Sequence, residues 1–303
     1  MNDNLSKPIA PDPIFRFVAL ADTHIRGDEK YRARRMRRAL KAIERAKRID
    51  AFVILGDITD HGYQKQWKLC EQIFSGFHLP PTILAMGNHD AWTHEENTPE
   101  NFDDAIELYK EYTSKITGYA RDRVYFRHDI GKFTFLTLGS EAPEKEAYIG
   151  EKQLDWLNAE LGSVAPDRPV FVLSHFALNQ THGLPNTSGS KTDDVEVGGF
   201  GIHSDAVNAV LQQFPNAVLF SGHSHMGFAK KQSYSTVEKA GNILSANLPC
   251  FMFPNHDGKF DWGCGMIVEV YRDQIFFRGY NFLLNKYYKK YLFSSLDAPR
   301  YSR

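Results

Sequence analysis

The 303-residue chain reads as an α/β protein: two packed, mixed β-sheets with helices on the outside. Three observations carry this. Short apolar runs alternate with helical patterns, five of those runs stop at clusters of polar residues, and two further pairs of runs look like antiparallel ribbons.

The first run, 15–21 (FRFVALA), stops at Asp22-Thr23-His24. A helical pattern over 31–47 follows, with Met36, Leu40 and Ile43 turned inward. Run 51–55 (AFVIL) stops at Gly56-Asp57 and precedes a helical pattern over 64–74. Run 82–86 (TILAM) stops at Gly87-Asn88-His89-Asp90, and Pro99-Glu100 then reads as the start of a helix over 99–116. Runs 124–127 and 133–138 flank Asp129-Ile130-Gly131 and pair antiparallel. A helix over 151–161 leads to run 170–173 (VFVL), which stops at Ser174-His175. Ser204-Asp205 opens a helix over 204–214, and run 217–220 stops at Ser221-Gly222-His223-Ser224-His225. Runs 266–271 and 274–278 form a hairpin across Arg272-Asp273. The five runs with polar ends are expected in one buried sheet, and the ribbons call for a second sheet packed on it.

Composition narrows the function classes. Hydrophobic residues are 42% and charged residues 24%, so the chain is neither disordered nor fibrous. A net charge of -1 excludes a global attraction for polyanions, which makes nucleic acid a poor expectation as partner. No apolar run approaches the ~18 residues of a membrane helix, and residues 1–15 hold no signal-peptide core. Cys70, Cys250 and Cys264 are odd in number and widely scattered, which suggests neither a disulfide framework nor a zinc knot. A reducing cytoplasm is the expected compartment. No Walker A or Rossmann glycine pattern occurs.

Three segments stand apart. Residues 26–48 hold eleven Lys/Arg, read as a solvated helix face with Arg26 as a candidate anion-binding rim residue beside the first polar cluster. Residues 176–203 are rich in Gly, Ser, Thr and Asn and are expected to fold over the crevice, with Phe176 a candidate substrate contact. The main domain is expected over 13–282. The tail 283–303, with Tyr287, Tyr288, Tyr291 and Phe293, reads as a packed terminal segment, a contact with a second copy being its sharper use.

The chemistry sits at the strand ends. Asp22, His24, Asp57, Asn88, His175, His223 and His225 all follow apolar runs, where open α/β sheets place their ligand crevice. Every donor is an oxygen or an imidazole nitrogen and none is a thiolate, which suits Mn, Fe, Zn or Co. Seven donors exceed one site and suit two metals sharing a carboxylate. A His-x-His pair means little alone, but Gly-Asn-His-Asp is expected only about 0.003 times by chance in this composition. The ordered set D-x-H, G-D-x-x-D, G-N-H-D, S-H and G-H-x-H is what decides. Two metals would activate a water to hydroxide and neutralise phosphate oxygens; Asp60 and Asp90 are candidates for fixing imidazole tautomers.

Those motifs, from Asp22 to His225, resemble the calcineurin-like metallophosphoesterase superfamily. The resemblance implies an αββα sandwich and a dinuclear site. It implies that Asp22, His24, Asp57 and His225 hold one metal, and that Asp57, Asn88, His175 and His223 hold the other. It also implies that His89 stands near the substrate with Asp90 orienting it. His61 and Met86 occupy places where protein serine/threonine phosphatases carry arginine. Asp60 stands where purple acid phosphatases place a tyrosine ligand. The spacing is most similar to the bacterial cyclic-nucleotide and glycerophosphodiester phosphodiesterases, although Phe176-Ala177 replaces the histidine and proline frequent there. The implied activity is hydrolysis of a small phosphodiester. A phosphomonoesterase or pyrophosphohydrolase on the same metals is the alternative, with a nuclease or a non-catalytic scaffold behind them.

Overall fold

A computed structural model of the chain describes residues 4–27, 30–91, 101–143, 146–183, 199–231, 234–255 and 262–300. The strands are β1 (Phe15–Leu20), β2 (Ala51–Leu55), β3 (Thr82–Ala85), β4 (Phe126–Ile130), β5 (Phe133–Thr137), β6 (Val170–Leu173), β7 (Ala217–Ser221), β8 (Lys230–Lys231), β9 (Tyr234–Ser235), β10 (Val237–Ala240), β11 (Ile243–Asn247), β12 (Cys264–Val270), β13 (Ile275–Asn281) and β14 (Lys286–Ser294). The helices are α1 (Lys30–Arg45), α2 (Gln64–Phe74), α3 (Phe102–Thr117), α4 (Glu151–Gly162) and α5 (Ser204–Leu211).

Two six-stranded sheets face each other, in the orders β14-β13-β12-β1-β2-β3 and β10-β11-β7-β6-β5-β4. The pairs β1–β2 and β2–β3 are parallel, as are β5–β6, β6–β7 and β7–β11, with antiparallel strands at the flanks. The five runs with polar ends therefore divide between the sheets, three in the first and two in the second, and do not share one sheet as expected. An apolar run reports burial on both faces but not which sheet receives it.

The side-chain period of two builds the layers. Along β1, Phe17 and Ala19 point between the sheets, while Val18 and Leu20 point outward to the layer of α1, α2 and α3. Leu136, Val170 and Val172 point the other way, under α4 and α5. Between the sheets Phe17 meets Phe135 at 5.4 Å, Phe171 at 5.0 Å and Phe220 at 5.6 Å between ring centroids, all edge to face. On α1, Met36, Leu40 and Ile43 are buried on one stripe, as the periodicity requires.

Strands β8 to β11 were not foreseen, because two- to five-residue runs such as VEKA carry no clear period. The tail supplies β14, an edge strand on β13, and Tyr291 and Phe293 enter the inter-sheet core. Its aromatics thus pack within the chain. No helix among the described residues is long and apolar enough to cross a membrane.

Candidate metal centre at the strand ends

The loops after β1, β2, β3, β6 and β7 converge on one point. Their backbone is unusual: Asp22, His24, Asp57, His223 and His225 all have positive φ, between 38° and 66°. Left-handed backbone costs a non-glycine residue about 1–3 kcal/mol. Aspartate and histidine are among the residues found there most often. The loops hold each other in it: His24 N–H donates to Asp57 O at 2.8 Å and Ile25 N–H to Ile58 O at 2.8 Å.

The motif glycines are matters of space. A Cβ on Gly87 would lie 2.1 Å from Asp57 Oδ1 and 2.3 Å from Asp57 N. A Cβ on Gly56, itself at φ 82°, would lie 2.6 Å from His175 Nδ1. Backbone must pass this closely for donors from separate strands to meet.

The donors form two pockets. Ligand atoms of Asp22, His24, Asp57 and His225 lie within 4.8 Å of one another, and so do those of Asp57, His175 and His223. In the first pocket His24 Nε2 and His225 Nε2 are 3.2 Å apart, and His225 Nε2 is 3.2 Å from Asp22 Oδ1. In the second, His223 Nδ1 and His175 Nε2 are 3.2 Å apart. Asp57 joins them through a single oxygen. Its Oδ2 is 3.2 Å from His175 Nε2 and 3.6 Å from His24 Nε2, while Oδ1 accepts the His89 N–H at 2.9 Å. The carboxylate spans both pockets with one atom.

Electrostatics favour cations here. Burial pushes the carboxyls of Asp22 and Asp57 up, but the surrounding histidines outweigh it and hold both below the ordinary carboxylate range. Burial lowers His223 to about 3, with His175 adding to it, and lowers His24 to about 4 despite Asp60. Both rings are thus neutral near pH 7, the form that binds metal. His175 is the reverse: burial opposes protonation, but Asp57 lifts the ring to about 9. His225 is also raised against its burial, by the Cys250 sulfur and by Asp22. Asn88 Oδ1 is buried and accepts no hydrogen bond among the described residues. A buried acceptor without a donor is costly; next in the chain to His89, whose N–H reaches Asp57 Oδ1, it suits a cation's coordination shell. The donor set therefore fits two borderline ions.

The surrounding residues are positioned as follows. His24 Nδ1 lies 3.2 Å from Asp60 Oδ1, and Arg32 anchors that carboxylate from 2.9 Å while also donating to His24 O. Burial works against the ionised Asp60, but His24 and Arg32 prevail and lower it to about 2. Asp60 thus orients the His24 ring. Arg32 was hidden in the basic segment, whose regular spacing reads as a solvated face; its side chain is 4% exposed. Arg26 lies on the rim, 40% exposed, 3.4 Å from Asp60 Oδ2.

Two expectations are corrected. Asp90 does not orient the His89 ring. Its carboxylate accepts backbone N–H groups of Ile58, Thr59 and Gly87 and the Thr59 hydroxyl, at 2.8–3.1 Å. It staples the Asp57 loop to the Asn88 loop, and burial followed by Asp57 raises it to about 6. The His89 Nδ1 is instead 2.7 Å from the Asp60 carbonyl. Phe176, expected at the substrate, is 2% exposed and packs against His175 and His223 at 5.2 and 5.0 Å, because its ring turns into the cluster beneath α4 and α5. It buttresses the second pocket. The crevice-covering role expected of 176–203 rests largely on residues 184–198, which lie outside the described residues.

Two residues escaped the sequence argument. Phe253 lies tilted against His24 at 4.8 Å and stacks on His225 at 5.9 Å, and Cys250 lies against the first pocket. Both follow β11, where no motif drew attention.

A model of the calcineurin-like phosphoesterase family matches residues 15–227, which span all five motifs. The chain belongs to this family. Two curated relatives are similar to part of the chain. One, from Rhodopseudomonas palustris, is named a probable cyclic nucleotide phosphodiesterase; it is 29% identical over 172 residues, 53% of this chain and 56% of the relative. The other, from Rhodococcus erythropolis, bears the same name and is 31% identical over 178 residues, 54% of this chain and 53% of the relative. This phosphoesterase-family chain thus matches about half the length of those relatives. Among solved structures, a single-mutant Vps29 from Entamoeba histolytica aligns at 10% identity with a TM-score of 0.37, covering 93% of this chain and 97% of that one.

Proposed function

We propose that this chain is a dinuclear metal-dependent phosphodiesterase acting on small phosphodiesters, with cyclic nucleotides the first class to try. One observation carries the reading: two donor pockets share the single oxygen Asp57 Oδ2. Asp22, His24, Asp57 and His225 would hold one ion, and Asp57, Asn88, His175 and His223 the other. Bound there, such ions supply hydroxide from water at neutral pH and neutralise charge on the phosphoryl oxygens.

The chain's own residues do the rest. Asp60 and Arg32 fix the His24 ring so that Nε2 faces the pocket. The His89 Nδ1–H donates to Asp60 O, so proton exchange runs through Nε2. A protonated His89 gives that proton to the leaving alkoxide oxygen as the ester bond breaks, work worth about 10²–10⁴-fold where the leaving group is poor. Arg26, on the rim, attracts the anionic substrate. Selection by relatives' names alone favours cyclic nucleotides over monoesters.

The test is turnover with Mn, Co or Zn on cyclic nucleotides, glycerophosphodiesters, bis-nitrophenyl phosphate, nitrophenyl phosphate and single-stranded DNA. Diester cleavage exceeding monoester cleavage is the expected result. A monoester preference would replace the reading with a phosphomonoesterase, and no turnover by metal-loaded protein would leave a scaffold.

A further inference from the structure

The segment after β11 lies beyond the last of the five motifs and is nevertheless built into the candidate metal centre. At the end of β11, Asn247 donates to Ser221 Oγ and to Gly222 O, both at 2.9 Å, which fastens it to the loop bearing His223 and His225. Leu248 N–H donates to Ser221 O at 2.7 Å. Three residues on, Phe251 N–H donates to Ala21 O at 3.0 Å and Met252 N–H to Asp22 O at 3.3 Å, which fastens the segment to the loop bearing Asp22 and His24. Cys250 lies between these anchors, so its place is set by the two loops that form the first pocket.

Its sulfur faces that pocket. Cys250 Sγ and the ligand nitrogens of His24 and His225 lie within 4.8 Å of one another. The sulfur lies 3.4 Å from Asp22 O and accepts the Phe253 N–H at 3.2 Å. An N–H directed at sulfur stabilises negative charge on it. The other two cysteines provide contrast. Cys70 packs in the apolar cluster under α1–α3 and Cys264 in the inter-sheet cluster, as small hydrophobic side chains do. Cys250 is fully buried yet belongs to neither. A buried sulfur grouped with two imidazoles has the donor chemistry of a borderline metal site.

We propose that Cys250 is a thiolate ligand to the metal ion of the first pocket, alongside Asp22, His24 and His225, and that it biases this pocket toward Zn, Co or Fe over Mn. On binding, the thiol proton passes to solvent and the sulfur's electron pair goes to the ion. This revises the expectation of a site made of oxygen and nitrogen donors only. It rests on the dinuclear reading above, and the two can fail separately.

The test uses the full chain loaded with Co(II), with metal content measured alongside. Cobalt-edge X-ray absorption reports whether sulfur scatters at a bonding distance, about 2.3 Å as for thiolate on zinc, and a near-ultraviolet thiolate-to-cobalt charge-transfer band reports it optically. The expected result is one sulfur per two cobalt ions in the wild type and in a Cys70→Ser/Cys264→Ser double variant. Cys250→Ser should lose the band and at least about tenfold of the zinc-over-manganese preference at one of two sites, in line with loss of one soft ligand. Two cobalt ions bound with no sulfur scattering would overturn the proposal while sparing the dinuclear reading. Failure to bind cobalt at all would overturn both. The wild-type measurement decides the matter even if Cys250→Ser does not fold.

Discussion

The inter-sheet core and the crest of loops above it are made from the same strands and obey opposite rules. In the core, Phe17, Phe135, Phe171 and Phe220 sit in regular strand backbone and pack in one apolar cluster. Two residues past the strand ends, Asp22, Asp57 and His223 sit in left-handed backbone, polar, largely shielded from solvent and, at Asp22 and Asp57, pressed against glycines. The core stabilises; the crest costs stability and is held in place by what lies beneath it. Substitutions should therefore separate the two regions: core changes should lower stability and spare the site, while crest changes should do the opposite.

The largest effect is expected at Asp57. Asp57→Ala removes the oxygen common to both pockets, and turnover should fall by at least about 10³-fold, since one transition-state-stabilising group is commonly worth ~10²–10³. Stopped assays with metal in excess would show it. Gly87→Ala tests the crest's packing: its Cβ would collide with Asp57, whereas a Cβ on Gly27 meets nothing within 4 Å. Metal content should drop in the first variant and remain unchanged in Gly27→Ala. Phe171→Ala is the converse. It should cost about 3–5 kcal/mol of unfolding free energy, read by denaturant titration, with metal stoichiometry retained in the folded fraction.

Smaller effects probe the surrounding shell. His89→Ala should slow an alkyl or ribose diester more than a nitrophenyl diester, because only the poor leaving group needs a proton; equal losses on both would place His89 at the phosphoryl oxygens instead. Asp60→Asn should cost ~10–100-fold in metal affinity, the usual price of an outer-shell partner of a ligand histidine, and should do so without affecting folding. Finally, pH should move metal affinity in one direction. His175, at about 9 in the metal-free chain, and His225, also raised, are protonated at pH 7. Each must lose a proton to bind, so affinity rises with pH until these groups are neutral and falls as pH is lowered. Calorimetry in buffers of differing ionisation enthalpy should show protons released on metal binding.

Much of this was legible in the sequence because burial and chemistry leave periodic and compositional marks. Continuous runs such as AFVIL marked buried strands, and the polar clusters after them marked the crest. The six aspartate and histidine donors do come together. What remained hidden has physical reasons. The division of strands between two sheets depends on pairing partners distant in sequence, which no local run encodes. Arg32 looks like its neighbours along α1 until Asp60 is seen beneath it. Asp90 and Phe176 were read by proximity in sequence and Cys250 by its isolation, but their side chains answer to loops from other strands. The orienting role given to Asp90 belongs to Asp60, and the thiol that seemed scattered sits against His225.

The central claim is two metal ions held through one shared carboxylate oxygen. It is tested most directly by titrating metal-stripped protein with Co(II) or Mn(II) and counting bound ions by elemental analysis, in wild type and Asp57→Asn. The account predicts two ions per wild-type chain, and weakened binding at both positions in the variant, because Asp57 Oδ2 faces both pockets. One ion per wild-type chain, or two ions bound undiminished by Asp57→Asn, would contradict it.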